Sequence, residues 1–260
     1  MARAGDTVIV GGGTYAEPLQ FVQQKPTEVP LLFLADSDGV FTGDPGPVSI
    51  APGKGAAVYL EKSCVHLRGF RIRGTVWCKQ TEQSQLLGCD ISAASRSGIR
   101  CDGPGSARLV GCRIEDGRSE GLRISRGFRI EVVRTEIRDN KGGGILLRDE
   151  DSSLNLRQST LTGNQAVALD LRGPSNVINC LIANNGAGIR ADSEDVAVWH
   201  ATIVHNHDFG IEQQRGRTAV SNSIIAFNPL FINGRPFLFA ISVGNTHQPA
   251  VFGSRSRYLL

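Results

Sequence analysis

Two columns of aliphatic residues recur along most of this chain and constrain its fold more than any other feature. They flank eight anchor positions that lie 19 to 24 residues apart: Phe70, Cys89, Cys112, Thr135, Ser159, Cys180, Ala201 and Ser223. Three positions before the anchors stand Leu67, Leu86, Leu109, Val132, Leu156, Val177, Val198 and Val220. Two positions after them stand Ile72, Ile91, Ile114, Ile137, Leu161, Ile182, Ile203 and Ile225. Columns that stay aliphatic through eight repeats predict a solenoid, in which each repeat stacks on the next.

A third aliphatic site, usually preceded by glycine, completes most of the repeats. It is occupied by Ile99, Leu122, Ile145, Leu169, Ile189 and Ile211. Around all three sites apolar residues alternate with polar ones over only a few positions, which is the period of a short strand rather than of a helix. Three short strands per repeat, each stacked about 4.8 Å from its counterpart, predict a parallel β-helix.

Asparagine recurs at one further register of the repeat. The residues are Asn140, Asn164, Asn185, Asn206 and Asn228. Asparagine tolerates the left-handed backbone of a sharp bend, and its side-chain amide can bond to the amide of the next coil. We therefore predict an asparagine ladder that starts part-way along the solenoid.

Four of the six cysteines fit the same stacked arrangement. Cys89 precedes Cys112 by one repeat, and Cys78 precedes Cys101 in the same way. We expect these thiols to stack in the interior as small apolar side chains rather than to form disulfides. The chain contains no Cys-x-x-Cys pair, so no metal site is predicted.

Three segments carry a family resemblance. WHATIVHNHDFGI (199–211) and SNSIIAFN (221–228) resemble the repeats of right-handed parallel β-helix proteins of the pectate-lyase-like superfamily. AGDTVIVGGGTYAEPL (4–19) resembles the first coil of many such proteins. The resemblance implies an all-β, right-handed parallel β-helix of about ten coils with three short strands per coil. It implies little about function, because this fold hosts lyases, hydrolases, epimerases, adhesins and inert spacers.

The repeats suggest one solenoid domain followed by a different C-terminal segment. We predict a β-helix over residues 1–228, with irregular early coils over 4–64 and regular repeats over 65–228. Beyond Asn228 the pattern fails, so residues 229–260 are predicted to form a C-terminal cap or tail. Because the chain begins almost on Asp6-Thr7-Val8, the first coil is expected to be uncovered at its outer edge.

Charge and hydropathy exclude several classes of partner. The 28 basic and 25 acidic residues leave a net charge of only +3, which does not predict binding to nucleic acid. No stretch is apolar for long enough to predict a membrane span. The N-terminus lacks the pattern of a secretory signal, whereas the resemblance implies a mostly extracellular or cell-surface family, so the compartment stays open. We expect a monomer.

Arginine supplies most of the positive charge and provides the candidate binding residues. On the strand that contains the third aliphatic site, the first outward column is Arg100, Arg123, Leu146, Asp170, Arg190 and Glu212. The next outward column is Asp102, Ser125, Arg148, Arg172, Asp192 and Gln214. In one interpretation, Arg100, Arg123, Arg148, Arg172 and Arg190 bind the carboxylates of a uronate polymer. In the other, the columns form a mixed-sign surface in which Asp170 pairs with Arg148 or Arg190, and Asp102 pairs with Arg123.

Two further clusters are weaker candidates. His200, His205, His207 and Asp208 could supply an acid–base pair, although we expect His205 and His207 to point to solvent at a turn. Asp149-Glu150-Asp151 could help to bind Ca²⁺, but consecutive carboxylates rarely face one ion, so a solvated loop is the expectation.

The function that follows is a carbohydrate-associated β-helix module, with a polysaccharide as the expected partner. We expect a non-catalytic binding or structural domain of a larger protein that needs no cofactor, because the catalytic motifs of the characterised lyases and epimerases are not visible. The alternative is a polysaccharide lyase, epimerase or glycoside hydrolase that acts on an acidic glycan. The resemblance implies that a lyase of this fold often uses Ca²⁺.

Overall fold

A computed structural model describes residues 2–23, 29–229, 239–241 and 250–252 of the chain. In these residues the chain forms strands and turns but no helix, and it winds through three strands in each coil. In the described part, no helix is long and apolar enough to cross a membrane.

The strands form three columns, named here in the order in which each coil visits them. The first column contains β1 (Thr7–Gly11), β4 (Leu31–Asp36), β7 (Val65–Arg68), β10 (Ser84–Leu87), β13 (Gly105–Val110), β16 (Phe128–Val133), β19 (Ser153–Arg157), β22 (Ser175–Ile178) and the second halves of β24 (Ala187–Trp199) and β26 (Ile211–Ser221). The second contains β2 (Gly13–Tyr15), β5 (Val48–Ile50), β8 (Arg71–Arg73), β11 (Asp90–Ser92), β14 (Arg113–Glu115), β17 (Glu136–Arg138), β20 (Thr160–Thr162), β23 (Leu181–Ala183), β25 (Thr202–Val204) and β27 (Ile224–Ala226). The third contains β3 (Leu19–Val22), β6 (Ala56–Glu61), β9 (Thr75–Lys79), β12 (Ile99–Asp102), β15 (Leu122–Ser125), β18 (Ile145–Leu147), β21 (Val167–Leu171) and the first halves of β24 and β26.

Within each column, strands from successive coils pair in parallel. Because β24 and β26 each run through the third and first columns, hydrogen bonding joins these two columns into one 18-stranded sheet. The second column forms a separate sheet with one parallel strand from each of ten coils. The predicted solenoid of about ten coils with three short strands per coil is confirmed.

The two aliphatic columns found in the sequence fill the interior. Every member of both columns is at most 2% exposed, and they belong to one continuous core. Leu86 pairs with Leu109 and Ile91 with Ile114, so like stacks on like along the axis. Each coil therefore buries its apolar face mainly against its two neighbours, which is why one repeat alone could not fold.

Two corners of each coil need a residue in the left-handed conformation. Between the first and second columns these residues are Gly69, Gly88, Gly111, Arg134, Gln158, Asn179, His200 and Asn222. Between the second and third columns they are Ala93, Asp116, Asp139, Gly163, Asn184, His205 and Phe227. The ladder asparagines follow this second set by one position and do not have positive φ angles, so the left-handed backbone predicted for them was wrong.

Their actual role is hydrogen bonding between coils. Asn140 Nδ2 donates to Asn164 Oδ1 at 2.9 Å, and the series continues through Asn185 and Asn206 to Asn228 at 2.9–3.0 Å. Each side chain also donates to a carbonyl of the preceding coil, as Asn185 does to Leu161 at 3.0 Å. The predicted ladder is confirmed, and it satisfies backbone groups that the sharp corner would otherwise leave unpaired.

The four cysteines predicted to stack, Cys78, Cys89, Cys101 and Cys112, lie in the interior. All six are buried and free, and Cys78 pairs in register with Cys101. Cys112 and Cys180 donate to the backbone of the first column, at 3.3 Å from Leu86 O and 3.2 Å from Ile178 O. Thiols thus act at one corner as small apolar groups that also satisfy carbonyls.

The two ends of the solenoid differ. In the first coil β1, β2 and β3 each pair only with the following coil among the described residues, and the inward-facing Val10 and Phe21 are only partly buried. At the other end, β28 (Phe239–Ile241) and β29 (Ala250–Phe252) pair antiparallel with β27 and β26. Most of residues 229–260 lie outside the described residues, so the cap or tail stays a prediction.

Replacing one central ladder residue tests the importance of the ladder. We expect Asn185→Ala to lower the free energy of unfolding by roughly 2–4 kcal/mol, because buried amide groups of two coils lose partners. Urea unfolding measures the loss, with Asn176→Ala as the control because Asn176 is exposed on the first column. Equal effects of the two substitutions would contradict a stabilising ladder.

Candidate functional site

The outward surface of the third column carries the predicted arginines. Pairing places the following residues in one row along the axis: Tyr59, Trp77, Arg100, Arg123, Leu146, Asp170, Arg190 and Glu212. The predicted first outward column is therefore confirmed. In the second outward column the last step was wrong, because a bulge pairs Asp192 with Arg215 rather than with Gln214. We call these two outward columns the arginine strip.

At its N-terminal end the strip is closed by stacked side chains. Tyr59 and Trp77 pack edge to face with ring centroids 5.2 Å apart, and the guanidinium of Arg100 lies 4.6 Å from the centre of the Trp77 ring. Arg100 also pairs with Asp102 at 2.8 Å. Sequence inspection missed the two aromatic residues, although extending the arginine column backwards by two coils would have found them.

Asp102, the acidic partner predicted for Arg123, forms ion pairs with Arg100 and Arg126 instead. Asp102, whose side chain is only 4% exposed, pairs with Arg100 and with Arg126 at 3.4 Å, and accepts a hydrogen bond from Ser125 at 3.2 Å. The predicted pair between Asp102 and Arg123 was therefore wrong. The carboxylate oxygens of Asp102 already accept contacts from Arg100, Arg126 and Ser125.

The C-terminal end of the strip is also neutralised by ion pairs. Arg190 Nε lies 2.8 Å from Glu212 Oε2, and Arg190 Nη1 lies 3.7 Å from Asp170 Oδ2, which confirms one of the two pairs predicted for Asp170. Arg215 pairs with Asp192. That hydrogen bond lowers the pKa of Asp192.

Between these ends lies a cluster of three arginines, which we call the central cluster: Arg123, Arg148 and Arg172. Among the described residues, no carboxylate oxygen lies within ion-pair distance of any of the three. Arg148 and Arg172 are exposed, whereas Arg123 is partly buried. Burial, together with the positive charges of Arg148 and Arg100, lowers the pKa of Arg123. The cluster thus has no directly ion-paired carboxylate, although the charges of Glu120 and Asp102 act on Arg123 from a longer distance.

The five candidate arginines fall into two groups. Arg100 and Arg190 are held by carboxylates, as the mixed-sign interpretation predicts, while the central cluster has the unpaired guanidinium groups that the binding interpretation needs. Ion pairing of the mixed-sign kind is therefore observed at Arg100 and Arg190, and anion binding at the central cluster stays a prediction.

Asp170 is the exception among the carboxylates of the strip. Its Oδ1 atom is shielded from solvent and has no hydrogen-bond partner among the described residues. Burial raises the pKa of Asp170, against the opposing effects of Arg190 and Arg172, and the charge of Asp192 raises it further. The hydrogen bonds and positive charges around Asp170 therefore only partly offset the cost of burying its negative charge.

The histidine cluster does not form a compact site. His200, His205, His207 and Asp208 are all exposed. His200 and His205 occupy left-handed corner positions on opposite sides of β25, and the His205 ring stacks on Phe227 at 4.9 Å. The predicted exposure of His205 and His207 is confirmed, while an acid–base role stays a prediction.

The acidic run forms a hydrogen-bonded turn. Asp149 accepts from the backbone of Arg126 at 2.6 Å and from Ser152 Oγ at 2.6 Å, and Glu150 pairs with Arg215 at 3.4 Å. These bonds, against the effect of burial, lower the pKa of Asp149. No group of three or more potential metal ligands occurs within residues 2–23 and 29–229 or elsewhere in the described structure.

A depression on the neighbouring first column was not predicted. It has a volume of about 470 Å³, spans several coils and is open to solvent, with a lining that includes Arg129, Ser153, Asn155, Asn176 and Asp195. The lining of the depression also includes Pro174. Because Pro174 follows Arg172 by two residues, the depression lies next to the central cluster along the chain. Single repeats carry no signal for it, because its lining comes from five coils.

Comparison with known proteins agrees with this architecture. Residues 48–176 match the family described as a right handed beta helix region. The chain is a right-handed parallel β-helix. Among solved structures, one described as "Crystal structure of pectate lyase Pel9A" is similar to this β-helix, with a TM-score of 0.49 and 10% identity, over 90% of this chain and 73% of that one. No curated protein matches the chain.

The environment of Asp170 predicts how stability changes with pH. Because the folded-state pKa of Asp170 is raised above 3.8, the stability contributed by its protonated form is present below that pH and is lost as the pH rises through the folded-state pKa. We expect Asp170→Asn to gain stability relative to wild type between about pH 3.5 and about pH 7, because an amide cannot ionise. Thermal unfolding at both pH values measures the difference.

Asp192→Asn provides a control of opposite sign. The pKa of Asp192 is lowered by Arg215, so its ionised form stabilises the fold at neutral pH, and this contribution is lost as the pH falls. This variant should lose stability relative to wild type over the same rise in pH. A change of the same sign in both variants would contradict the assignment for Asp170.

Proposed function

We propose that this β-helix is a non-catalytic module that binds an acidic polysaccharide through the central cluster. The observation that carries the proposal is that three neighbouring arginines have no carboxylate partner among the described residues, while the arginines on either side have one. Unpaired guanidinium groups are suited to bidentate contact with carboxylate or sulfate groups.

The spacing of the cluster suits an extended polymer. Arg148 and Arg172 directly follow Leu147 and Leu171, which pair with each other, so the two arginines lie on adjacent coils about 4.8 Å apart. Arg123 lies one coil earlier in the neighbouring outward column. A linear chain that runs along the solenoid axis could therefore present successive acidic groups to successive arginines.

The surroundings support binding rather than chemistry. Stacked or ion-paired side chains already occupy both ends of the strip, which limits the positive region to about three coils. The candidate histidines belong to turns that flank β25, and the acidic run is held in its own turn. The stacked sheet fixes the backbone positions of these cations, so the conformational entropy lost when a polymer binds is mainly that of their side chains.

Removing the two exposed arginines tests the proposal. We expect the double substitution Arg148→Ala and Arg172→Ala to weaken binding of polygalacturonate or alginate roughly tenfold or more, because each arginine supplies a charge-assisted contact. Titration calorimetry or affinity electrophoresis near neutral pH measures the change. Added salt should weaken wild-type binding, since exposed charges are screened.

The matched control removes two exposed arginines from another sheet. Arg71→Ala with Arg73→Ala changes the net charge equally but alters β8 in the second column. Equal loss of binding in both double variants would indicate non-specific attraction. No binding of either polymer by wild type would overturn the proposed function.

Elimination of an acidic glycan is a second candidate, and one observation favours it. Burial and the neighbouring arginines Arg148 and Arg100 lower the pKa of Arg123, which is the direction that a basic catalyst requires. Ca²⁺ would then be an expected cofactor, although the described residues offer no preformed group of ligands.

An assay for unsaturated products separates the two functions. We expect no ultraviolet-absorbing product from polygalacturonate, alginate or chondroitin, with or without Ca²⁺, because binding alone breaks no bond. A signal that Arg123→Ala abolishes, with the variant still folded by circular dichroism, would establish elimination and contradict the non-catalytic proposal.

A further inference from the structure

The carboxylates of the arginine strip differ in how well they are compensated. Asp102 has two arginine partners and a serine hydroxyl, and Asp192 has Arg215. Asp170 has one long contact of 3.7 Å to Arg190, and its Oδ1 is shielded from solvent without a partner among the described residues. Asp170 is therefore the carboxylate of the strip that loses most by being ionised.

The weak contact to Arg190 has a structural cause. Arg190 Nε is 2.8 Å from Glu212 Oε2 on the next coil, and the Arg190 guanidinium lies 5.6 Å from the centre of the Phe209 ring. These contacts draw the guanidinium away from Asp170. Leu146, the partner of Asp170 on the preceding coil, offers no hydrogen-bond donor.

Asp170 is also electrostatically joined to the central cluster. The positive charge of Arg172 acts on Asp170, opposing the rise in its pKa, and acts in the same direction on Asp192. An anionic group bound at Arg172 would neutralise part of that charge and place a new negative charge close to Asp170. Like charges in proximity favour the protonated form of a carboxyl group.

We propose that Asp170 couples anion binding at the central cluster to the uptake of one proton, so that the site binds acidic polymers more tightly as the pH falls. This inference rests on the proposed function. The proton comes from the solvent, adds to an Asp170 carboxylate oxygen, and leaves again when the anion dissociates. Anion binding and protonation of Asp170 are thermodynamically linked. Protonation of Asp170 must therefore tighten anion binding by the same factor by which anion binding favours protonation.

The other groups that face Asp170 do not account for such coupling. Arg190 and Asp192 of the next coil face Asp170, and Arg172 lies two residues after Asp170 in the same coil. Guanidinium groups in general do not titrate between about pH 4 and about pH 7.5. Asp192 has a lowered pKa and stays ionised above its own titration range.

The direction of the pH effect follows from the two pKa values of Asp170. Its pKa is raised in the free protein, and a bound anion raises it again. Affinity is then constant well above and well below these two values and falls between them as the pH rises. One proton limits the slope to about tenfold in Kd per pH unit, and we expect a total change of roughly three- to tenfold.

Dextran sulfate is a suitable probe, because its sulfate esters remain ionised across the range from about pH 4 to about pH 7.5. Titration calorimetry of wild type and of Asp170→Asn gives Kd at each pH. Repeating the titration in buffers of different ionisation enthalpy counts the protons taken up. We expect wild type to bind more tightly at low pH with net proton uptake, and Asp170→Asn to bind at nearly constant affinity with little uptake.

Asp192→Asn is the matched control, because it removes a carboxylate from the same strip. It should tighten binding at every pH and keep the proton uptake, while the pH range of the effect moves to lower pH, because the charge of Asp192 raises the pKa of Asp170. If Asp170→Asn keeps the full pH dependence, or if wild type binds without proton uptake, the inference is wrong although the proposed function stands. If dextran sulfate binds at no pH, the inference also fails, and the polyuronate titrations then judge the proposed function separately.

Discussion

Parallel hydrogen bonding between successive coils is the interaction on which the rest of this structure depends. It fixes the distance between coils at about 4.8 Å and brings equivalent residues of neighbouring repeats into contact. Each inward side chain must then pack against the side chains at the equivalent positions of the two neighbouring coils. Aliphatic side chains and asparagine amides meet this requirement in columns of their own, whereas the buried thiols share columns with other small or apolar residues, as Cys101 does with Ile124. The same geometry acts outside the core, where like charges in one column repel unless a neighbour compensates them.

The parts of the fold that repeat could be predicted from the sequence, and the parts that occur once could not. Buried positions recur at the length of one repeat, and this recurrence identifies the strands and their register. Examples are the paired residues Leu86 and Leu109, and Ile91 and Ile114. The asparagine column and its amide bonds between coils could also be predicted, but the backbone conformation of these residues could not. Deciding that Asp139 rather than Asn140 has the left-handed backbone requires the φ angles themselves. The bulge before Asp192 interrupts the register at a single place, and no periodic signal marks it.

The candidate site was predictable as a set of positions but not as a set of interactions. The order Arg100, Arg123, Leu146, Asp170 and Arg190 follows from the repeat alone. Which carboxylate each arginine reaches depends on rotamers of long, flexible side chains, and several choices have similar energies. Arg126, which lies outside the predicted columns, pairs with Asp102 and so helps to leave Arg123 without a partner. The aromatic stack on Arg100 similarly required knowledge of the coils before it.

The corners of the coils differ in how much variation in length they accept. From each anchor residue to the ladder position five residues later, as from Ser159 to Asn164 or from Cys180 to Asn185, the length does not change. Insertions there would break the left-handed turns and the amide bonds together. Differences in repeat length instead fall beyond the ladder position, as in the turn at 148–152. Because Arg148 and Arg172 border that third corner, the loops beside these two cationic residues can differ in length without disturbing the interior.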